Sequence, residues 1–250
     1  MTNPFLTKPN YIRIFGHRGA RGEIAENSIE GFKHTFALGI KAVEFDVVIS
    51  KDKIPVLYHY FNLMPYLVKD ENGNWLKNSE LKVFDKSYEE LSKYNIGGLD
   101  PESKHGKRFK EQKFLKNAKI PKLSELLELA SRKENKDVFL NLEVKSTPFK
   151  MGLTPNPSDA VSLILKDIDT YKLEDRIIIS SFDWRILYEL KKQNSRILRG
   201  FISLQQDLST TKKNIYENSP WMVKNYSLDE LFLLPNICLL YTSPSPRDLS

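Results

Sequence analysis

The sequence predicts an α/β protein in which βα units build a parallel sheet. Short β-branched runs alternate with amphipathic helical patterns along most of the chain. At 250 residues, 40% hydrophobic and 28% charged, the chain can bury one substantial core. The segment Gly16-His17-Arg18-Gly19 is followed by Glu26-Asn27 and by Glu44-Phe45-Asp46, which sets a histidine, an arginine and two alternating carboxylates at the ends of two consecutive apolar strands. One α/β barrel or two small domains would fit this length, and one large domain is the simpler choice.

The first strand is expected at residues 11–15. A helical pattern through Phe32, Phe36 and Leu38 follows, with Asn27 as N-cap, Glu30 three residues on and Gly39 as the stop. Strands are expected at 42–49 and 54–59. From about 61 to 119 the periodicity weakens, punctuated by Pro65, Gly73, Gly97, Gly98 and Gly106, and one helix is expected at 87–93. A connection this long is a functional element or a small inserted subdomain rather than plain loop. Alternation resumes with helix 123–130, strand 138–144, helix 159–168, strand 176–180, helix 184–192 and strand 196–202. That makes six strands. Beyond 202 only a helix at 227–234 is expected, and 241–250, YTSPSPRDLS, has no core-forming pattern and resembles translated library-adapter sequence.

The formal charge of +6 and a pI near 9.1 favour anionic partners at long range. The basic residues are spread along the chain without an aromatic-interleaved nucleic-acid motif, so nucleic acid is not an expected partner. The densest basic run, 104–110, reads as a solvated loop face. Cys238 is the single cysteine, which excludes an intrachain disulfide framework and leaves a mild lean to the cytoplasm. No signal-peptide pattern opens the chain, and charges interrupt every apolar stretch short of the roughly 20 residues of a membrane span.

Strand alternation sorts the side chains that carry chemistry. In the second strand Val43, Phe45, Val47 and Ile49 share one face and Glu44 and Asp46 the other; in 138–145 the apolar residues oppose Asn141, Glu143 and Lys145. Gathering three carboxylates is costly unless a cation neutralises them, and a hard divalent ion with oxygen ligands resolves this. His17 and His59 fall at strand ends beside the carboxylates, where phosphodiester cleavage would need one group to take a proton and another to give one. Arg18 can offer a fork to phosphate and Lys145 a point charge. Ser180, Ser181 and Asp183 read as pocket lining or as caps; Trp75 and Trp184 read as packing residues.

Together these residues resemble the glycerophosphodiester phosphodiesterase family. GHRGARG with the following EN, VEFDVVISKDKIPVLYH, IPKLSELLELA, LNLEVK and IISSFD stand in the family's order and spacing, over residues 12–202. VKDENGNWL and YNIGGLDPESKHGKRFKEQ are similar to the bacterial branch with a long insertion after the third strand. The resemblance implies a TIM (β/α)8 barrel of the phosphodiesterase type in which Glu44, Asp46 and Glu143 bind one divalent cation, Mg2+ or Ca2+. It further implies His17 and His59 as the acid/base pair, Arg18 and Lys145 as phosphate ligands, and a small glycerophosphodiester split into sn-glycerol 3-phosphate and an alcohol.

Two departures accompany it. Tyr60 stands where the family has an aspartate after the second histidine, and nothing after 202 matches the family's last two βα units. The expected fold is therefore one domain over 1–240 with about six of eight barrel strands, an insertion at 61–119, a tail at 241–250, and a barrel open between the sixth strand and 11–15. Competing expectations are a related barrel phospholipase of the sphingomyelinase D or lysophospholipase D type, told apart by cyclic phosphate release, and a non-catalytic barrel that binds phosphodiesters or a partner.

Overall fold

The computed structural model describes residues 12–147, 152–203 and 237–241. In chain order the strands are β1 (Gly16–His17), β2 (Ala42–Ile49), β3 (Pro55–Leu57), β4 (Phe139–Val144), β5 (Ile177–Ser181), β6 (Leu198–Ser203) and β7 (Ile237–Tyr241). β1, β2, β4, β5, β6 and β7 lie side by side in that order, all parallel, while β3 runs antiparallel along β2. Six parallel strands agree with the sequence count, but they are not the same six.

The 54–59 segment does not add a parallel strand. Only a short connection separates it from β2, too short for the crossover of a dozen or more residues that a parallel neighbour needs, whereas a hairpin closes easily. Ser50 builds that turn: its Oγ accepts the Ile54 N–H at 3.0 Å, and Lys53 takes φ 64.

The sixth parallel strand comes instead from Ile237–Tyr241, beyond the point where strands were expected to end, so Tyr241 belongs to the sheet and not to a tail. It pairs with β6 from Arg199 opposite Ile237 to Ser203 opposite Tyr241. Its continuous apolar run lacks the alternation of a half-buried strand, which hides it from a period-2 search. Among the described residues β1 and β7 end the sheet and do not pair with each other.

The first strand is also displaced. The register Gly16 opposite Val43 carries residues 12–14 past the start of β2, where no ladder exists, and Ile12 and Ile14 are 86% and 67% exposed.

Among the described residues six α-helices accompany the sheet: α1 (Ile29–Ala37), α2 (Tyr88–Leu91), α3 (Lys104–Arg108), α4 (Leu123–Ser131), α5 (Pro157–Tyr171) and α6 (Trp184–Gln193). The apolar sides of β2 and β4 pack beneath α1, α4, α5 and α6, Val43, Phe45, Val47, Leu140 and Leu142 joining Phe32, Leu126, Leu127, Ile164 and Ile186 in one buried core. The opposite side is left for polar residues. Ser28, not Asn27, caps α1, its Oγ accepting the Gly31 N–H at 3.0 Å.

Within 61–119, Leu63, Leu67, Leu91 and Ile96 meet Val48, Val56 and Tyr58 of the β2–β3 hairpin in a second buried cluster. The expected helix at 87–93 is α2, with Ser87 and Glu90 forming a capping box. The 104–110 run is in part helical rather than loop, because Ser103 caps α3 by accepting the Gly106 N–H at 2.9 Å. The insert docks on the β1–α1 loop: Gln112 Nε2 donates to the Arg21 carbonyl and the Lys113 N–H to the Glu23 carbonyl, both at 2.7 Å. Trp75 packs edge-on against Phe114, and Trp184 against Phe201. No helix among the described residues is long and apolar enough to cross a membrane. The helix expected at 227–234 lies outside the described residues.

Candidate active site

The polar side of the sheet gathers the predicted residues in one place. Pairing sets Asp46 opposite Glu143 on β2 and β4, and His17 opposite Glu44 on β1 and β2. One carboxylate oxygen each from Glu44, Asp46 and Glu143 lies within 4.8 Å of the other two. That spacing fits a single ion at roughly 2.4 Å from each oxygen, the distance of a hard cation in an oxygen cage.

The electrostatics show how the chain holds three acids together. Burial, then Asp46 and Glu143, push the Glu44 carboxyl well above the usual carboxylate range against the pull of Arg18 and Lys145. Glu143 is raised by burial, which outweighs the opposing pull of Lys145. Asp46 is the exception: burial would raise it, but Lys145, His59, Arg18 and a hydrogen bond from Asn27 together hold it far below the ordinary value. A group of carboxyls with one firmly charged member and two that resist ionisation suits an added cation, which would favour the charged form of all three.

Lys145 follows β4 and reaches back over the cluster. Its Nζ hydrogen-bonds Glu143 Oε1 and lies 3.0 Å from Asp46 Oδ1. Burial would lower its pKa, yet Asp46 and Glu143 raise it above the ordinary lysine value, so the ammonium stays charged. Arg18 is buried in the β1–α1 loop at φ 54, where a neighbouring Gly19 at φ 80 completes the sharp exit from β1. A side chain at Gly16 would place Cβ 2.5 Å from the Gly19 carbonyl oxygen, so this exit requires glycine. The Arg18 N–H donates to Glu44 Oε2 at 3.0 Å, Nη1 donates to Glu26 Oε1 at 3.0 Å, and Nε sits 3.1 Å from Asp46 Oδ2.

The two histidines differ. His17 is half exposed, its Nε2 3.5 Å from Glu44 Oε2. His59 arrives on the return arm of the hairpin, which the Tyr58 N–H to Asp46 carbonyl bond at 3.1 Å brings alongside Asp46. Burial, then the charge of Lys145, depresses its pKa well below the usual histidine value, although Asp46 pulls the other way. Its Nδ1 is buried with no hydrogen-bond partner among the described residues. The Tyr60 ring meets the His59 ring edge-on, centroids 4.3 Å apart, so aromatic packing fills the position after this histidine.

Glu26 and Asn27 are the residues whose roles the sequence reading missed. Glu26 is the partner of Arg18, and Asn27, read as a helix cap, instead turns its amide onto Asp46, donating from Nδ2 to Oδ2 at 2.9 Å. The sequence signal was an Asn directly before a better cap, Ser28; an Asn at φ 53 is common where a short polar side chain bonds locally. Asp183 caps α6, accepting from the Arg185 N–H at 3.2 Å, and Ser181 Oγ donates to the Val144 carbonyl at 2.7 Å, whereas Ser180 lies opposite Glu143 in the β4–β5 register and donates from Oγ to Asn141 Oδ1 at 2.9 Å.

Residues 17–231 match the glycerophosphoryl diester phosphodiesterase family. A glycerophosphodiester phosphodiesterase of Caldanaerobacter subterraneus subsp. tengcongensis is 32% identical over 189 residues, covering 76% of this chain and 65% of that protein. Among solved structures, a Silicibacter pomeroyi protein whose name places it among the glycerophosphoryl diester phosphodiesterases is 35% identical with a TM-score of 0.76, covering 83% of this chain and 71% of that one. An Oleispira antarctica phosphodiesterase, solved with its product sn-glycerol-3-phosphate, shares the fold with a TM-score of 0.58 at 23% identity, covering 79% of this chain and 68% of that one. This chain thus spans a little under two thirds of the length of the Caldanaerobacter relative.

Proposed function

The chain belongs to the glycerophosphoryl diester phosphodiesterase family, and from that premise we propose that it hydrolyses glycerophosphodiesters to sn-glycerol 3-phosphate and an alcohol with the help of one divalent cation, Mg2+ or Ca2+. The observation that carries this reading is the convergence of Glu44, Asp46 and Glu143 within 4.8 Å on the polar side of the sheet, beside two histidines and two cations. The named activity of the Caldanaerobacter relative supports the substrate class.

Glu44, Asp46 and Glu143 would hold the cation, which when bound polarises phosphoryl oxygens and offsets the charge that develops on them. Lys145 and Arg18 bind the phosphate, Lys145 as a point charge and Arg18 through its guanidinium, each kept in place by the acids it already touches. His59, kept neutral by burial at pH 7, takes the proton from the attacking glycerol hydroxyl. His17, half exposed at the rim, returns a proton to the leaving alcohol oxygen. Water then resolves the cyclic phosphate of the substrate, with the two histidines exchanging roles.

Product analysis tests this reading. Incubation with glycerophosphocholine and glycerophosphoethanolamine should yield sn-glycerol 3-phosphate with choline or ethanolamine. Accumulation of a cyclic phosphate as the end product would place the chain with the lyase-type barrel phospholipases instead.

A further inference from the structure

Residues 104–119 of the insert hold seven lysine and arginine residues and one acid, Glu111, a surplus equal to the +6 of the whole chain. Basic residues occur throughout the chain, but outside this segment acids balance them, 31 against 31. Lys104, Lys107, Lys110, Lys113, Lys116 and Lys119 are all exposed; Lys107 pairs with the still more exposed Glu102 at 3.5 Å. Lys69 joins them from the neighbouring turn, its Nζ 4.5 Å from the Trp75 ring centroid and 4.4 Å from that of Phe114, which is 49% exposed. Lys69, Lys107, Lys110, Trp75 and Phe114 line one open cavity of about 630 Å³. Three lysines and two aromatic rings thus share one surface, with the other exposed lysines of 104–119 on the same segment.

We propose that this lysine-rich, aromatic patch docks the protein on an anionic phospholipid bilayer. The kind of cation selects the partner: six of the seven are lysines, compact point charges suited to a diffuse negative surface, whereas nucleic-acid readers draw on the planar fork of arginine. Clusters of four to eight basic residues match the negative potential of a lipid leaflet, and aromatic rings such as Trp75 and Phe114 settle at the level of its headgroups. Among the described residues the ion pairs of Glu44, Asp46 and Glu143 run to His17, Arg18 and Lys145 and not to the patch lysines, although Phe109 lines both the patch cavity and the one that His17 borders. The segment adjoins the β1–α1 loop through the docking bonds of Gln112 and Lys113 and through Arg21, whose guanidinium lies 5.0 Å from the centroid of the Phe109 ring.

Co-sedimentation with vesicles tests the proposal independently of the catalytic reading. The protein should pellet with phosphatidylcholine vesicles containing about one quarter phosphatidylglycerol, not with phosphatidylcholine alone, and should be released as salt rises from about 0.1 to about 0.5 M. The double variant Lys107→Gln/Lys110→Gln should lower the partition coefficient at least about tenfold, and Phe114→Ala should weaken binding without abolishing its salt dependence. All variants should keep the parental circular dichroism spectrum. Equal binding to uncharged vesicles, unchanged binding by the double variant, or tighter capture of a duplex DNA or RNA probe than of the anionic vesicles would overturn it.

Discussion

Asn27 and Asp46 are joined by two hydrogen bonds: Asn27 Nδ2 donates to Asp46 Oδ2 at 2.9 Å, and the Asp46 N–H donates to Asn27 Oδ1 at 3.2 Å. The pair ties the loop before α1 to the middle of β2, and it aims the most strongly acidic carboxylate of the site. Asn27→Ala should weaken cation affinity about 10- to 100-fold, the usual effect of removing a partner that orients a metal ligand. Unfolding free energy should fall by about 1 to 3 kcal/mol through the buried groups left unpaired. Calorimetric cation titration and denaturant melts report the two effects separately.

Cation binding should expel protons. Because burial and like charges raise Glu44 above its unfolded value, the cation-free fold is favoured by a protonated Glu44 at low pH, and that contribution is lost as pH rises through the raised pKa. A cation requires the ionised form, so its apparent affinity should rise with pH across the acidic range. Calorimetry in two buffers of different ionisation enthalpy should reveal net proton release; identical heats in both would contradict the coupling.

His17→Ala and His59→Ala should each lower turnover by about 10² to 10⁴ with cation-induced stabilisation preserved. At saturating cation, about a hundred times its dissociation constant, the melting temperature of both variants should still rise by about 5 to 10 °C. Near-normal turnover in either variant would remove that histidine from the mechanism.

Arg176 makes a purely structural prediction. Its Nη1 donates to the carbonyls of Asn135 and Lys136 at 2.8 and 3.0 Å and Nη2 to that of Ala130 at 3.1 Å, which binds the end of α4 to the start of β4. Arg176→Ala should cost about 2 to 4 kcal/mol of stability through several lost charged bonds, while kcat/KM per folded molecule stays at the parental value.

How much of this was legible in the chain follows from the range of the forces involved. Val43, Phe45 and Val47 against Glu44 and Asp46 is a period-2 pattern that a single strand imposes on itself, so the two faces of β2 were readable. The direction of β3 depended on a turn built by Ser50 and Lys53, whose left-handed conformation no hydrophobic pattern encodes. Strand β7 was hidden because its pairing with Arg199 to Ser203 is a contact between distant segments. Asn27 looked like a cap because capping and reaching across to Asp46 use the same short polar side chain. The acidic cluster is legible, since three carboxylates on polar strand faces invite a cation; the pairing of Glu26 with Arg18 is not, because their meeting depends on the loop's fold.

The most direct measurement is the rate of sn-glycerol 3-phosphate release from glycerophosphocholine as Mg2+ or Ca2+ is added back to chelator-treated protein, for the parent chain and for Glu143→Gln. Release should be negligible without cation and recover saturably in the parent. The cation requirement should be at least about tenfold higher when one of the three carboxylates is neutralised. Undiminished release in excess chelator, or the same cation dependence in both proteins, would contradict this dependence on a cation held by the three carboxylates.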